Sequence, residues 1–152
     1  MPVIVIGADT PVGEAIVAAV LPSAAEMRAF VSDERSVDHL RSRGVKVAVG
    51  DISDFSHVEA AALNCFCAVV VVDSATDDRE RAFAGSPHEM MDGWCRAVSE
   101  AGVQRTIWIS AGDPPVPFPA PTPEVATVAV AGDLDRAAAE VALLEGLQSL
   151  PT

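Results

Sequence analysis

The chain has 152 residues, half of them apolar, and a formal charge of −12 from 22 acids against 10 bases. That length suits one domain, residues 1–152, with a substantial core, and its acidity repels nucleic acid and anionic membranes. No apolar run reaches the length of a membrane span and no basic region precedes the first apolar stretch, so the expectation is a cytoplasmic protein without membrane or nucleic-acid partners.

Strand-like and helix-like segments alternate from the start. Val3–Ile6 is an apolar run, followed by Gly7-Ala8-Asp9-Thr10-Pro11-Val12-Gly13 and then Glu14-Ala15-Ile16-Val17. A strand, a glycine turn and a helix in that order open a Rossmann unit, and the helix start is where a dinucleotide phosphate is held. The helix from Pro11 presents Val12, Ile16, Val17 and Val20 on one face and ends by Pro22. Met27–Val31 reads as the second strand. Glu34–Arg43 reads as a polar helix stopped by Gly44, and Val45–Val49 as the third strand. Asp54–Asn64 is a short helix with Ser53 or Asp54 as its cap.

Phe66–Val72 is continuously apolar and β-branched, as for a central parallel strand covered on both faces. Pro87–Ala101 is the next helix and Arg105–Ile109 the fifth strand. Asp113–Pro123 holds six prolines in eleven residues, so a proline-rich surface loop is predicted over residues 112–124. Val125–Val130 is a short sixth strand and Leu134–Leu147 an amphipathic helix. Repeated βα units predict a doubly wound α/β fold, a parallel sheet of five or six strands with helices on both faces.

Several of these segments, in order, resemble the atypical and extended short-chain dehydrogenase/reductase group, in particular its NmrA-like NAD(P)-binding branch. The Gly7–Gly13 turn is similar to that group's G-x-x-G-x-x-G. Gly50-Asp51-Ile52-Ser53 resembles its Asp-aliphatic pair after the third strand, which implies adenine contact by Asp51 and Ile52. Arg105-Thr106-Ile107-Trp108-Ile109-Ser110-Ala111 resembles its fifth strand, which implies a substrate-orienting role for Ser110. Arg136-Ala137-Ala138-Ala139-Glu140 resembles its Lys-Ala-Ala-Ala-Glu helix. On that match Arg136 stands at the lysine position and Gly132 at the tyrosine position. The family usually continues into a substrate-binding region, so little beyond a Rossmann core is expected here.

The chain has no tyrosine, and Lys46 is its one lysine. The general acid of the resembling family is therefore missing. Ser110 remains, with Asp73 at the end of the fourth strand and His88 in the first turn of a helix as alternative catalytic groups. The opposing readings are a loop serine, a solvated turn acid and an ordinary polar helix start.

Expected cofactor-binding residues are Gly7, Asp9, Thr10, Pro11, Val12 and Gly13 in the turn, with Ser32 and Asp33 after the second strand. Asp51, Ile52, Asp73 and Ser74 complete the set. Thr10 at the middle position crowds a phosphate and caps the helix itself, and an inward Asp9 carboxylate would repel one. Asp33, about 20 residues past Gly13, accepts from a ribose 2′-hydroxyl and favours NAD over NADP, whereas Arg35 beside it suits a 2′-phosphate.

Cys65 and Cys67, at strand spacing, are expected on one face as small core residues. No further Cys or His pair completes a metal set. Met90, Met91 and Trp94 are expected to pack a core or a subunit contact. Pro114–Pro117 forms a PxxP that suits a lid or surface loop.

Three functions remain open. The first is an NAD(P)-binding sensor or pseudoenzyme. The second is an oxidoreductase with a non-tyrosine acid. The third is an interaction or assembly module without a ligand, for which the apolar final helix suggests a homodimer.

Overall fold

A computed structural model describes residues 2–114 and 117–151. Among these residues the chain forms one six-stranded parallel sheet and five α-helices. The strands are β1 (Val3–Ile6), β2 (Met27–Val31), β3 (Lys46–Val49), β4 (Cys67–Val71), β5 (Arg105–Ser110) and β6 (Glu124–Ala129). The helices are α1 (Pro11–Val20), α2 (Val37–Ser42), α3 (Phe55–Ala62), α4 (Pro87–Glu100) and α5 (Leu134–Gly146). The strand order β3-β2-β1-β4-β5-β6 is the doubly wound order of a Rossmann sheet. The chain reverses direction across the sheet between β1 and β4, and ligands bind at the carboxyl ends of strands at such a point.

β1 and β4 are buried along their whole length, because helices cover both faces of the sheet there. Alternate side chains serve two cores. Val3, Val5, Val69 and Val71 pack with α1 and α5, and Ile4, Ile6, Val70 and Trp108 pack with α3 and α4. The predicted α1 stripe is entirely buried, and each such side chain contributes about 1.5–3 kcal/mol of transfer free energy. Met90, Met91 and Trp94 all face the second core, where the Trp94 indole donates to the Ile52 carbonyl at 3.2 Å.

Three local expectations change. The segment predicted as one helix over 34–43 begins as a 3-10 turn, Glu34–Ser36, because the Asp33 carboxylate caps the Arg35 amide. Neither proposed cap of α3 bonds a helix amide through its side chain. Ser53 is committed to Asp51 and Phe83, and Asp54 accepts from the Ser56 hydroxyl. Cys65 and Cys67 fall in opposite cores rather than on one face. Cys65 lies in the turn after α3, where Asn64 has φ +65°, so the strand alternation has not yet begun. Burial pushes both thiols upward, and burial with Asp92 pushes Cys95 up to about 11, so none is thiolate-rich at neutral pH.

The connection from β5 to the adjacent parallel β6 contains no α-helix among the described residues. The proline-rich segment covers this part of the sheet instead. Phe118 stacks on Trp108 at 6.1 Å, and the Trp108 indole donates to the Pro119 carbonyl at 3.0 Å. The PxxP at Pro114–Pro117 lies partly outside the described residues. α5 follows β6 and packs against α1.

Candidate functional site

The glycine turn follows from two backbone constraints. Gly7 has φ +90°, and a Cβ there would stand 2.4 Å from the Ser74 hydroxyl oxygen. A Cβ on Gly13 would stand 2.3 Å from the Gly7 carbonyl oxygen and 2.6 Å from the Ala8 Cα. Only glycine lets α1 start this close to the end of β1. Thr10 stitches the turn: its hydroxyl donates to the Gly7 carbonyl at 2.8 Å and accepts from the Gly13 amide at 2.9 Å.

Helix capping leaves a narrow opening for an anion. In the first turn of α1, Pro11 has no N–H, and the amides of Gly13 and Glu14 are bound by Thr10. The Val12 amide is left at the positive end of the helix dipole. The adjoining Ser74 hydroxyl is fully buried and has no hydrogen-bond partner among the described residues.

Asp9 does not point into the hollow. One of its carboxylate oxygens accepts from the amides of Ser32 and Asp33 at 2.8 and 3.0 Å, and the other accepts from Arg79 at 3.1 Å. It thus ties the glycine turn to the end of β2. The repulsion expected from an inward carboxylate is partly relieved by these donors.

In front of the turn lies an open cleft of about 650 Å³. Its walls come from Asp9–Pro11, Ser32-Asp33, Gly50-Asp51 and the loop segment Asp77–Glu80. Six sequence-predicted residues therefore meet there: Asp9, Thr10, Pro11, Ser32, Asp33 and Asp51. Gly7 and Gly13 shape the turn behind them. Ile52 is fully buried below, and its side chain belongs to the second core.

The Asp51 carboxylate accepts from the Ser53 hydroxyl and amide at 2.6 and 2.8 Å and from the Ala82 amide at 2.7 Å. Burial opposes its charge, but these donors and Arg81 hold the carboxyl below the usual carboxylate range. Each carboxylate oxygen accepts two hydrogen bonds, so the oxygen facing Ala82 retains capacity. Asp33 is likewise held low, by the Arg35 guanidinium that chelates it and by the Arg35 amide.

The loop from Asp77 to Phe83 is the part that the sequence reading missed. Arg79 donates from Nε and Nη2 to the Asp77 carboxylate at 2.9–3.1 Å, and from Nη1 to Asp9. Arg81 donates to Asp77 and to the Ser74 carbonyl. Burial opposes the charge of Asp77, and the two arginines hold its carboxyl below the usual range. The available signal was the charged run Asp77-Asp78-Arg79-Glu80-Arg81 just past a strand end, where sites form.

The catalytic candidates do not converge in this cleft. The Ser110 hydroxyl donates to the Gly112 carbonyl at 2.6 Å. Asp73 accepts from the Ala111 amide at 2.9 Å, which fastens the end of β4 to the end of β5. His88 is on an exposed part of α4 and lies 3.3 Å from Asp92. Lys46 pairs with Glu26 at the amino end of β3, away from the cleft at its carboxyl end, and Arg136 reaches only toward Glu140 on the surface of α5.

No curated protein matches the sequence. Solved structures share the fold. Triphenylmethane reductase from Citrobacter sp., complexed with NADP(H), is 14% identical with a TM-score of 0.60, over 94% of this chain and 45% of that one. An NADPH-dependent quinone oxidoreductase from Escherichia coli, complexed with NADPH, is 15% identical with a TM-score of 0.58, over 71% and 36% of the two chains. An anaerobillin reductase from Escherichia coli O157:H7 is 21% identical with a TM-score of 0.55, over 73% and 51%. The chain thus spans between about a third and a half of the length of these structures. No helix among the described residues is long and apolar enough to cross a membrane. The NAD(P)H-binding family matches residues 7–145, from the glycine turn to the last helix, and the chain belongs to that family.

Proposed function

We propose that this domain binds NAD(H) in preference to NADP(H) as a dinucleotide sensor or pseudoenzyme, with no hydride-transfer chemistry of its own. The observation that carries this reading is the contrast between the two halves of the crevice. The β1–β2–β3 half has a glycine turn, an open cleft and free acceptor capacity on Asp51. The β4–β5 half has its Ser110 and Asp73 side chains engaged with backbone groups. When bound, the dinucleotide would supply a nicotinamide for redox chemistry. Asp33 would meet the adenosine ribose, Asp51 the adenine, and the Val12 amide a phosphate.

The preference for NAD rests on charge. The cleft walls carry Asp9, Asp33, Asp51, Asp77, Asp78 and Glu80 against one arginine. A 2′-phosphate adds close to two negative charges at this wall. Calorimetric titration is expected to give tighter binding of NADH than of NADPH. Equal affinity for the two would reject the preference, and absence of binding by all four nicotinamide dinucleotides would reject the function. Consumption of NADH with any carbonyl substrate, above a no-protein control, would reject the pseudoenzyme part.

Two substitutions probe the same site. Asp33→Ser removes a carboxylate and releases the Arg35 guanidinium. It is expected to shift the NADPH-to-NADH affinity ratio toward NADPH by about tenfold, the scale of one charge-assisted hydrogen bond. Thr10→Gly frees the Gly13 amide for a phosphate while costing only a few tenths of a kcal/mol in capping. NADH affinity is expected to rise severalfold, and a fall would show that the threonine cap is part of the phosphate site.

A further inference from the structure

We propose that Arg79 joins the Val12 amide in binding phosphate in this cleft and that it exchanges Asp9 for the diphosphate of the bound dinucleotide. The proposal rests on the dinucleotide-binding reading above and adds a residue from the β4–α4 loop to it.

Three observations carry it. First, Arg79 is the one cation among the described residues that line the cleft, and six acidic residues line it as well. A diphosphate entering there needs a positive partner, and α1 offers little. Its first turn has only the Val12 amide uncommitted. Second, the guanidinium is already oriented. The Nε and Nη2 edge grips Asp77 through three contacts of 2.9–3.1 Å, and the side chain is only 10% exposed. That edge fixes the plane of the group and leaves Nη1 toward Asp9 and Ser32.

Third, Nη1 makes the looser contacts, 3.1 Å to Asp9 and 3.4 Å to the Ser32 hydroxyl. On exchange Asp9 keeps the amides of Ser32 and Asp33, which both bind its other oxygen. An arginine donor that leaves this carboxylate for a phosphate trades one charge-assisted bond for another, and the diphosphate contacts must offset the loss of the cation at the buried Asp9. The loop would stay latched by Asp77 during the exchange.

The test separates phosphate binding from propping of the loop. ADP-ribose and adenosine share the adenine and one ribose, and only ADP-ribose carries the diphosphate. Titrations of the whole chain would follow ADP-ribose by calorimetry and adenosine by NMR into the millimolar range. Arg79→Ala is expected to weaken ADP-ribose by at least about tenfold and adenosine by less than twofold, and Arg79→Lys to recover part of the loss. A parallel loss for both ligands, or no loss for either, would overturn the proposal.

Asp9→Asn serves if the alanine variant does not fold. It removes the charge that competes for Nη1 and keeps an acceptor for the Ser32 and Asp33 amides. ADP-ribose is then expected to bind more tightly, whereas weaker or unchanged binding would count against the exchange. A native chain that binds neither ADP-ribose nor NADH would overturn the dinucleotide reading itself together with this proposal. Native binding of ADP-ribose that is indifferent to Arg79 would overturn the proposal alone.

Discussion

Arg105→Met is expected to destabilise the protein by about 3–5 kcal/mol, because it removes the donor of three carbonyls at the end of α5, at about 1–3 kcal/mol for each buried acceptor left unpaired. Arg105 opens β5 at the amino end of the strands, opposite the cleft, and its side chain has no exposed surface. Its Nη1 donates to the carbonyls of Leu144, Glu145 and Leu147 at 2.9, 3.0 and 2.7 Å, so it closes the C-terminal end of α5. Those carbonyls have no partner within the helix and sit at its negative pole. The same guanidinium pairs with Glu124 at 3.0 Å and lies 4.8 Å above the Phe66 ring. Methionine fills much of the volume but strands the carbonyls and the carboxylate. Urea titration monitored by circular dichroism should show the loss, with a fall in Tm of about 6–20 °C. NADH affinity measured well below the melt should be unchanged, because no contact of Arg105 reaches the cleft. A loss below about 1 kcal/mol would mean that water replaces the guanidinium at the helix end.

Gly13→Ala is expected to abolish NADH binding within the calorimetric range and to cost about 1–3 kcal/mol of stability, as overpacking does. The added methyl meets backbone, the Gly7 carbonyl at 2.3 Å and Ala8 at 2.6 and 3.0 Å, so no side-chain rotation relieves it. α1 must move away from β1, and the Thr10 hydroxyl then loses its bridge between Gly7 and Gly13. Gly112→Ala is the matched control, since nothing lies within 4 Å of its new methyl. It should leave both stability and affinity near the native values. Retained NADH binding in Gly13→Ala would show that the phosphate does not rest on this turn.

The fold was legible because its signals are local and repeated. A four-residue apolar strand, a glycine turn and an amphipathic helix specify the first βα unit, and the β-branched run ending at Val72 specifies a strand buried on both faces. The proline-rich stretch was legible as a loop from composition. Its packing role was not, because the Phe118 stack on Trp108 depends on the sheet bringing β5 and that loop together.

The cleft was half legible. Asp33 and Asp51 follow strands at carboxyl ends, where position alone marks them. Arg79 was not found, since its place in the cleft depends on a contact with Asp9 seventy positions away in sequence. Asp9 was visible as a problem, and its solution, turning toward the Ser32 and Asp33 amides, belongs to tertiary geometry. Arg136 was matched to a lysine by its alanine-rich surroundings. Those surroundings reflect packing of α5 on α1, where small residues at Ala137 and Ala138 let the helix approach.

The pairing of α1 with α5 has a consequence for biosynthesis. The flank of α1 formed early in translation gains its cover only from a segment made more than a hundred residues later. Until residues 134–146 clear the ribosome exit tunnel, the nascent chain carries a greasy, half-roofed surface. Arg105 likewise waits for the carbonyls it will close. The newborn protein should therefore engage holdase chaperones until α5 emerges, and arrested chains ending before Leu134 should be far more protease-sensitive than chains that include α5.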